Sequence, residues 1–194
     1  MAAPEEVVAA PLTIWLALVG TAFPEIDAAP GVGWEKLGTE GDMNYDESGV
    51  SVSHAETVND FTPAGSTMPS KRFRTGEDFL IKLNLVDLSP DVYAKVMNNA
   101  TVTDTPASSG VAGKAAFSLF RGDQVNSFAV LARGLSSVDN TLNMQYRFSK
   151  AFVSVNGDIT WNKGVPAMLP LEIQAIRHSS ADVIDVEIQT AVAS

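Results

Sequence analysis

With 194 residues the chain is long enough to bury a core without disulfides or metals, and it fits one domain over residues 1–194. It contains no cysteine, which excludes a disulfide framework, a thiolate nucleophile and a cysteine-based zinc or iron–sulfur site. A net charge of −10 argues against a surface that grips nucleic acid; residues 1–60 hold eleven acids and one base, Lys36, whereas residues 61–194 hold twelve of each.

The chain is expected to begin with an extended N-terminal arm (about 1–11). Leu12 to Phe23 is an apolar run with no basic residue before it. A secretory signal needs a basic leader and a membrane span about 20 apolar residues, so this run reads as a buried strand and no membrane insertion is expected. Leu12, Ile14, Leu16 and Leu18 share one parity, and Thr13, Trp15, Ala17 and Val19 the other. A loop near 24–33 follows. Val50 to Phe61 reads as a strand, and Pro63, Gly65 and Pro69 suit a hairpin tip within a loop near 62–74. Phe79, Ile81, Leu83 and Leu85 then alternate with Leu80, Lys82, Asn84 and Val86, the period of a strand.

One helix is expected. Ser89 stands as its N-cap, Pro90 fits the first position, Asp91 suits the positive end, and Val92, Tyr93, Val96 and Met97 recur at helical spacing until Asn98 and Asn99. The Thr-, Ser-, Pro-, Ala- and Gly-rich stretch near 101–113 reads as a long loop. Further strands are expected over Ala115 to Phe120, Val125 to Ala132, Met168 to His178 and Val183 to Thr190. In another, Leu142, Met144, Tyr146, Phe148 and Phe152 share one face. Many strands and a single short helix predict a mainly β fold, an antiparallel β-sandwich or barrel with one short flanking α-helix.

No constellation points to catalysis, a cofactor or a metal. The two histidines, His54 and His178, sit in strand-like segments, and no G-x-S-x-G elbow accompanies them. Asp42, Asn44 and Asp46 begin like an EF-hand loop, but Glu47 replaces the turn glycine and Ser53 the closing glutamate. No phosphate-cradling glycine spacing is present. The tripeptide Arg121, Gly122 and Asp123 and the acceptor Asn99, Ala100 and Thr101 are short enough to arise by chance. The one basic cluster, Lys71, Arg72 and Arg74, is a poor nucleic-acid patch because Glu77 and Asp78 follow it. It reads better as half of a subunit contact whose acidic half lies in residues 35–60, with Asp42, Asp46 and Glu47 as candidates. Phe61 and Trp34 are candidate aromatic contacts.

Four runs carry more specific information. They are Gly33-Trp34-Glu35-Lys36-Leu37-Gly38-Thr39-Glu40-Gly41-Asp42 with Tyr45-Asp46-Glu47-Ser48-Gly49-Val50, then Phe61-Thr62-Pro63-Ala64-Gly65-Ser66-Thr67, and Arg74-Thr75-Gly76-Glu77-Asp78. Over Gly33 to Asn98 the chain resembles the major tail tube protein of long non-contractile-tailed bacteriophages, the siphophages. The resemblance implies a β-sandwich flanked by a helix, hexameric rings stacked into a hollow tube, and a lumen that holds the tape-measure protein and passes DNA during genome ejection. It also implies tail terminator and tail-tip partners, no cofactor, and assembly from the host bacterial cytoplasm into the virion tail. Contacts between copies are then expected at the hairpin near Thr62 to Arg74, the N-terminal arm and the C-terminal end.

Segregated charge agrees with a heterologous contact, in which one patch meets a different patch on the next copy. Two alternatives stand beside this reading. One is a head–tail connector or tail completion protein, which stops at a single ring. The other is a β-sandwich carbohydrate-binding module, which needs exposed aromatics such as Trp34, Trp161 or Phe61 beside a groove.

Overall fold

In a computed structural model, residues 11–120, 122–136, 141–177 and 184–192 are described. The expected N-terminal arm, Arg121, His178 and the extreme C-terminus fall outside them. The fold is mainly β and antiparallel, as expected.

Strands β1 (Leu12–Leu18), β2 (Glu35–Lys36), β3 (Tyr45–Phe61) and β4 (Lys71–Leu85) precede helix α1 (Pro90–Val96). A small exposed hairpin, β5 (Thr103–Thr105) and β6 (Lys114–Ala116), separates α1 from β7 (Phe128–Leu135), β8 (Asn143–Val155), β9 (Leu169–Ala175) and β10 (Ile184–Ile188). The eight longer-range strands form one sheet in the order β2-β1-β7-β8-β9-β4-β3, with β10 also on β8. The path is open: among the described residues no pairing joins β2 to β3 and closes a barrel.

Cross-strand apolar pairs build the core. Ile81, Leu83 and Leu85 of β4 stand directly opposite Ile173, Leu171 and Leu169 of β9, and all six are buried. Ile14 and Leu16 of β1, Val130 and Ala132 of β7, and Phe148 of β8 belong to the same cluster, so the two arms of the sheet pack face to face as a sandwich. Burial of each such large side chain is worth about 1.5–3 kcal/mol.

Strand β8 serves both arms. Its first half pairs with β7 and β10, and its second half with β9. Between the halves, Ser149 and Lys150 stand against the single residue Ala129, a bulge that shifts the inward parity from Phe148 to Ala151 and Val153. Strict alternation therefore fails here: Phe152, grouped by sequence with Tyr146 and Phe148, turns to the other face.

Where β3 begins, its chain crosses back to β1. The Tyr45 hydroxyl accepts the Ile14 N–H at 3.1 Å and donates to the Leu37 carbonyl at 2.8 Å. Burial pushes this phenol well above its ordinary pKa. Gly41 opens the 3-10 turn Gly41–Asn44 with φ +71°, and a Cβ there would lie 2.8 Å from the Thr13 methyl, so only glycine lets the turn sit against β1.

Helix α1 flanks the sandwich by burying Ala94 and Val96. Ser89 occupies its N-cap without a side-chain capping bond; its own N–H is held by the Asp87 carboxylate at 2.9 Å. Asn98 and Asn99 take left-handed φ values of 66° and 56° and end the helix where expected. No helix of the described residues is long and apolar enough to cross a membrane, and of the apolar run Leu12 to Phe23, expected as one buried strand, only Leu12–Leu18 is strand, as β1.

On the outer face of β7, β8 and β10, Arg133 donates to Gln145 Oε1, and Gln145 donates onward to Glu187 at 2.5 Å. Arg147 forks onto Asp185 at 2.8 and 2.6 Å. Arg133 also donates to the carbonyls of Glu25 and Ala28, which straps the 24–33 loop over this network.

Two loop expectations need correction. The 101–113 stretch contains β5, which pairs with β6, and the strand expected over Ala115 to Phe120 shortens to Lys114–Ala116. Lys71 to Arg74, expected within the loop near 62–74, are the first residues of β4, because β3 supplies a paired residue at every step.

Candidate functional site

Local turn chemistry sets the hairpin that dominates the surface. Pro63 accepts the Ser66 N–H at 2.9 Å, and Phe61 accepts the Ser70 N–H at 2.9 Å, so residues 62–70 reverse the chain tightly enough for β3 and β4 to pair from Phe61↔Lys71 inward. The last contact of β4 with β9 is Leu80↔Gln174. Beyond it the two strands pair only with each other, forming an arm that reaches roughly 25 Å past the sheet at about 3.3 Å per residue. Every residue of β3 from Ser53 to Phe61 is exposed, and so are those of β4 from Lys71 to Asp78 except Gly76.

The arm has two unlike faces. Along one run His54, Glu56, Val58 and Asp60, opposite Phe79, Glu77, Arg74 and Arg72. A one-residue irregularity near Thr57 keeps this alignment through Thr75 and Gly76. Arg72 Nε lies 2.9 Å from Asp60, and Arg74 Nη2 lies 3.1 Å from Glu56. The other face carries Phe61 and Phe73, exposed at 55% and 47%, with the Lys71 ammonium 5.1 Å above the Phe73 ring. Met68 at the tip is 73% exposed.

Of the residues predicted from sequence to make contacts, Lys71, Arg72, Arg74 and Phe61 are brought together at the end of this arm. The acidic candidates Asp42, Asp46 and Glu47 lie at or just before the opposite end of β3, within the sheet and roughly 40 Å away along the strand. Asp42 accepts from Thr13 Oγ1 at 2.7 Å, and Asp46 from Ser48 at 2.6 Å and Asn84 at 3.1 Å, so these carboxylates do not converge as a calcium loop would. Glu47 is exposed.

Two placements depart from the expected contact set. Arg72 and Arg74 meet acids of the 35–60 region within their own chain, Asp60 and Glu56, because the hairpin register aligns them. Trp34 is 7% exposed, packs on Phe23 with ring centroids 5.2 Å apart, and donates its indole N–H to Ala22 at 2.9 Å, so it presents almost no surface to a neighbour or a sugar. Trp161, by contrast, is 78% exposed.

His54 is an exposed strand residue, as expected. Its ring stacks on Phe79 with centroids 4.3 Å apart and planes 5° apart, and its Nε2 lies 2.9 Å from Glu77 and 3.8 Å from Glu56. The register alone assembles this trio, since Glu77 lies far from the other two in sequence; a strict pairing of Val50–Phe61 with an extended β4 is the signal that could have found it.

No protein-family model matches the chain, and no curated protein matches it significantly.

Proposed function

We propose that this chain is a structural subunit that assembles with copies of itself into the tube of a long non-contractile bacteriophage tail, as stacked hexameric rings through which the genome passes. The β3–β4 arm is the observation that carries the reading. An isolated two-stranded ribbon is marginal in water, and this one leaves both faces bare and exposes Phe61, Met68 and Phe73 at its end. A surface of this kind is stabilised by docking. Lys71 at its end and the exposed Glu47 at the far end of β3 carry opposite charges and lie too far apart to meet within one chain, so the fitting partner is a second copy.

Such a contact joins unlike patches, and heterologous contacts propagate as rings or stacks. The outer edge of β3, which no strand of the described chain covers, offers unpaired backbone groups for the same purpose. The acidic excess is suited to a lumen in which a polyanion must pass without sticking.

Negative-stain electron microscopy of the purified full chain over a concentration series tests the proposal. Hollow tubes of uniform width or stacked rings are expected, and replacement of residues 62–70 by a two-residue Asn-Gly turn should abolish them while the monomer stays folded. Single rings that never stack favour the connector reading. A chain that stays monomeric even with a tail-tip initiator sinks the assembly reading.

A further inference from the structure

We propose that His54, Glu56 and Glu77 form a binding site for a divalent transition-metal cation of the Zn2+ class, which clamps the two strands of the arm at its root. The starting observation is a repulsion. Glu56 and Glu77 are direct register partners across β3 and β4, and like charges directly opposite on neighbouring strands destabilise the pair. They sit on a ribbon that no third strand supports, three residues beyond the last β4–β9 pair at Leu80.

The donor geometry suits an ion. One ligand atom from each of the three residues can be chosen so that all lie within 4.8 Å of one another. Around a tetrahedral zinc, with ligands at about 2.0–2.2 Å, neighbouring donor atoms stand about 3.4 Å apart. The distances from His54 Nε2, 2.9 Å to Glu77 and 3.8 Å to Glu56, straddle that value, so small side-chain rotations close the site without moving the backbone. One imidazole nitrogen and two carboxylates form a donor set for borderline metals; Mg2+ and Ca2+ prefer oxygen alone. Three protein ligands leave the fourth position to solvent.

Two neighbours orient the ligands. The Phe79 ring lies flat under His54 and holds the imidazole plane, and Arg74 grips Glu56 at 3.1 Å. The Arg74 charge also opposes a cation, which makes the site exchangeable rather than a permanent structural centre. Bound metal cross-links β3 and β4 just where support from the sheet ends, and so stiffens the arm. This site stands whether or not the arm docks on another copy.

The test is isothermal titration of Zn2+ into the full chain, prepared without a histidine tag, with Mg2+ as the comparison cation. A single Zn2+ per chain is expected, with affinity lowered at least about tenfold in His54→Ala and in Glu77→Gln, raised several-fold in Arg74→Gln, and unchanged in His178→Ala. Amide exchange over residues 55–61 and 71–77 should slow when Zn2+ is added. Because His54, Glu77 and Arg74 are exposed, circular dichroism should report the native fold in those three variants. Absence of Zn2+ binding, equal binding by the His54→Ala and Glu77→Gln variants, or loss confined to His178→Ala overturns the proposal.

Discussion

The hydroxyl of Tyr45, the first residue of β3, accepts the backbone N–H of Ile14 in the middle of β1 at 3.1 Å. The same hydroxyl donates to Leu37, so one buried phenol ties together the two ends of an open sheet. Tyr45→Phe leaves a buried donor and acceptor unpaired at nearly constant volume, and a loss of about 1–3 kcal/mol is expected. Urea unfolding followed by fluorescence measures it; an unchanged midpoint would show that the two ends are held by packing alone.

Arg133 is the strap for the 24–33 loop. Removing it as Arg133→Ala frees the carbonyls of Glu25 and Ala28 and takes a partner from Gln145, which is fully buried. Stability should fall by about 1–3 kcal/mol, and limited proteolysis should cut first within residues 24–33. Cleavage at the same rate and place as in the parent chain would mean that Phe23 and Trp34 hold the loop unaided.

On the arm, charge reversal and charge exchange are expected to part company. Lys71→Glu, Arg72→Glu and Arg74→Glu together set like charges against Asp60 and Glu56 and remove the basic end; the monomer should stay folded and assembly should fail. The exchange Asp60→Arg with Arg72→Asp preserves the cross-strand pair and the net charge, so tubes should persist. Exposed pairs of this type couple by only about 0.2–1 kcal/mol, and monomer stability should barely change in either case. Tube formation by the triple variant would remove the charge argument.

Asp87 links the Thr39 turn to the start of α1. Desolvation is the largest single influence on its carboxyl and raises the pKa, but bonds from the Thr39 side chain and backbone and from Ser89 together hold it down at about 2. A pKa lowered in the folded state contributes stability above the unfolded value of 3.8, which is lost as pH falls toward about 2. Asp87→Ala should therefore be less stable than the parent at neutral pH, with the difference shrinking across that acid window. Denaturant unfolding at a series of pH values reads it; a difference independent of pH would assign the effect to packing.

Much of the architecture was legible without coordinates. The alternation from Phe79 to Leu85 marks β4, Pro63 and Gly65 mark the hairpin tip, and Ser89, Pro90, Asn98 and Asn99 bracket α1 to within a residue or two. What failed did so for identifiable reasons. Lys71 to Asp78 show no apolar alternation because neither face of the arm is buried, so periodicity had nothing to report. Alternation puts Phe152 on the wrong face because a two-residue bulge at Ser149 and Lys150 breaks the period between the halves of β8. Trp34 and Phe23 bury each other through a loop that carries no periodic signal at all.

The sequence by itself determined the strand-rich class, the turns and the limits of the helix, because those depend on backbone preferences and side-chain period within a few neighbouring residues. Only the tertiary structure decided which strands share β8, that Arg72 and Arg74 find their acids within the chain, and that Glu56 faces Glu77 beside His54. Each of these follows from register between segments distant along the chain, and register is set by the packing of the whole core rather than by any one segment.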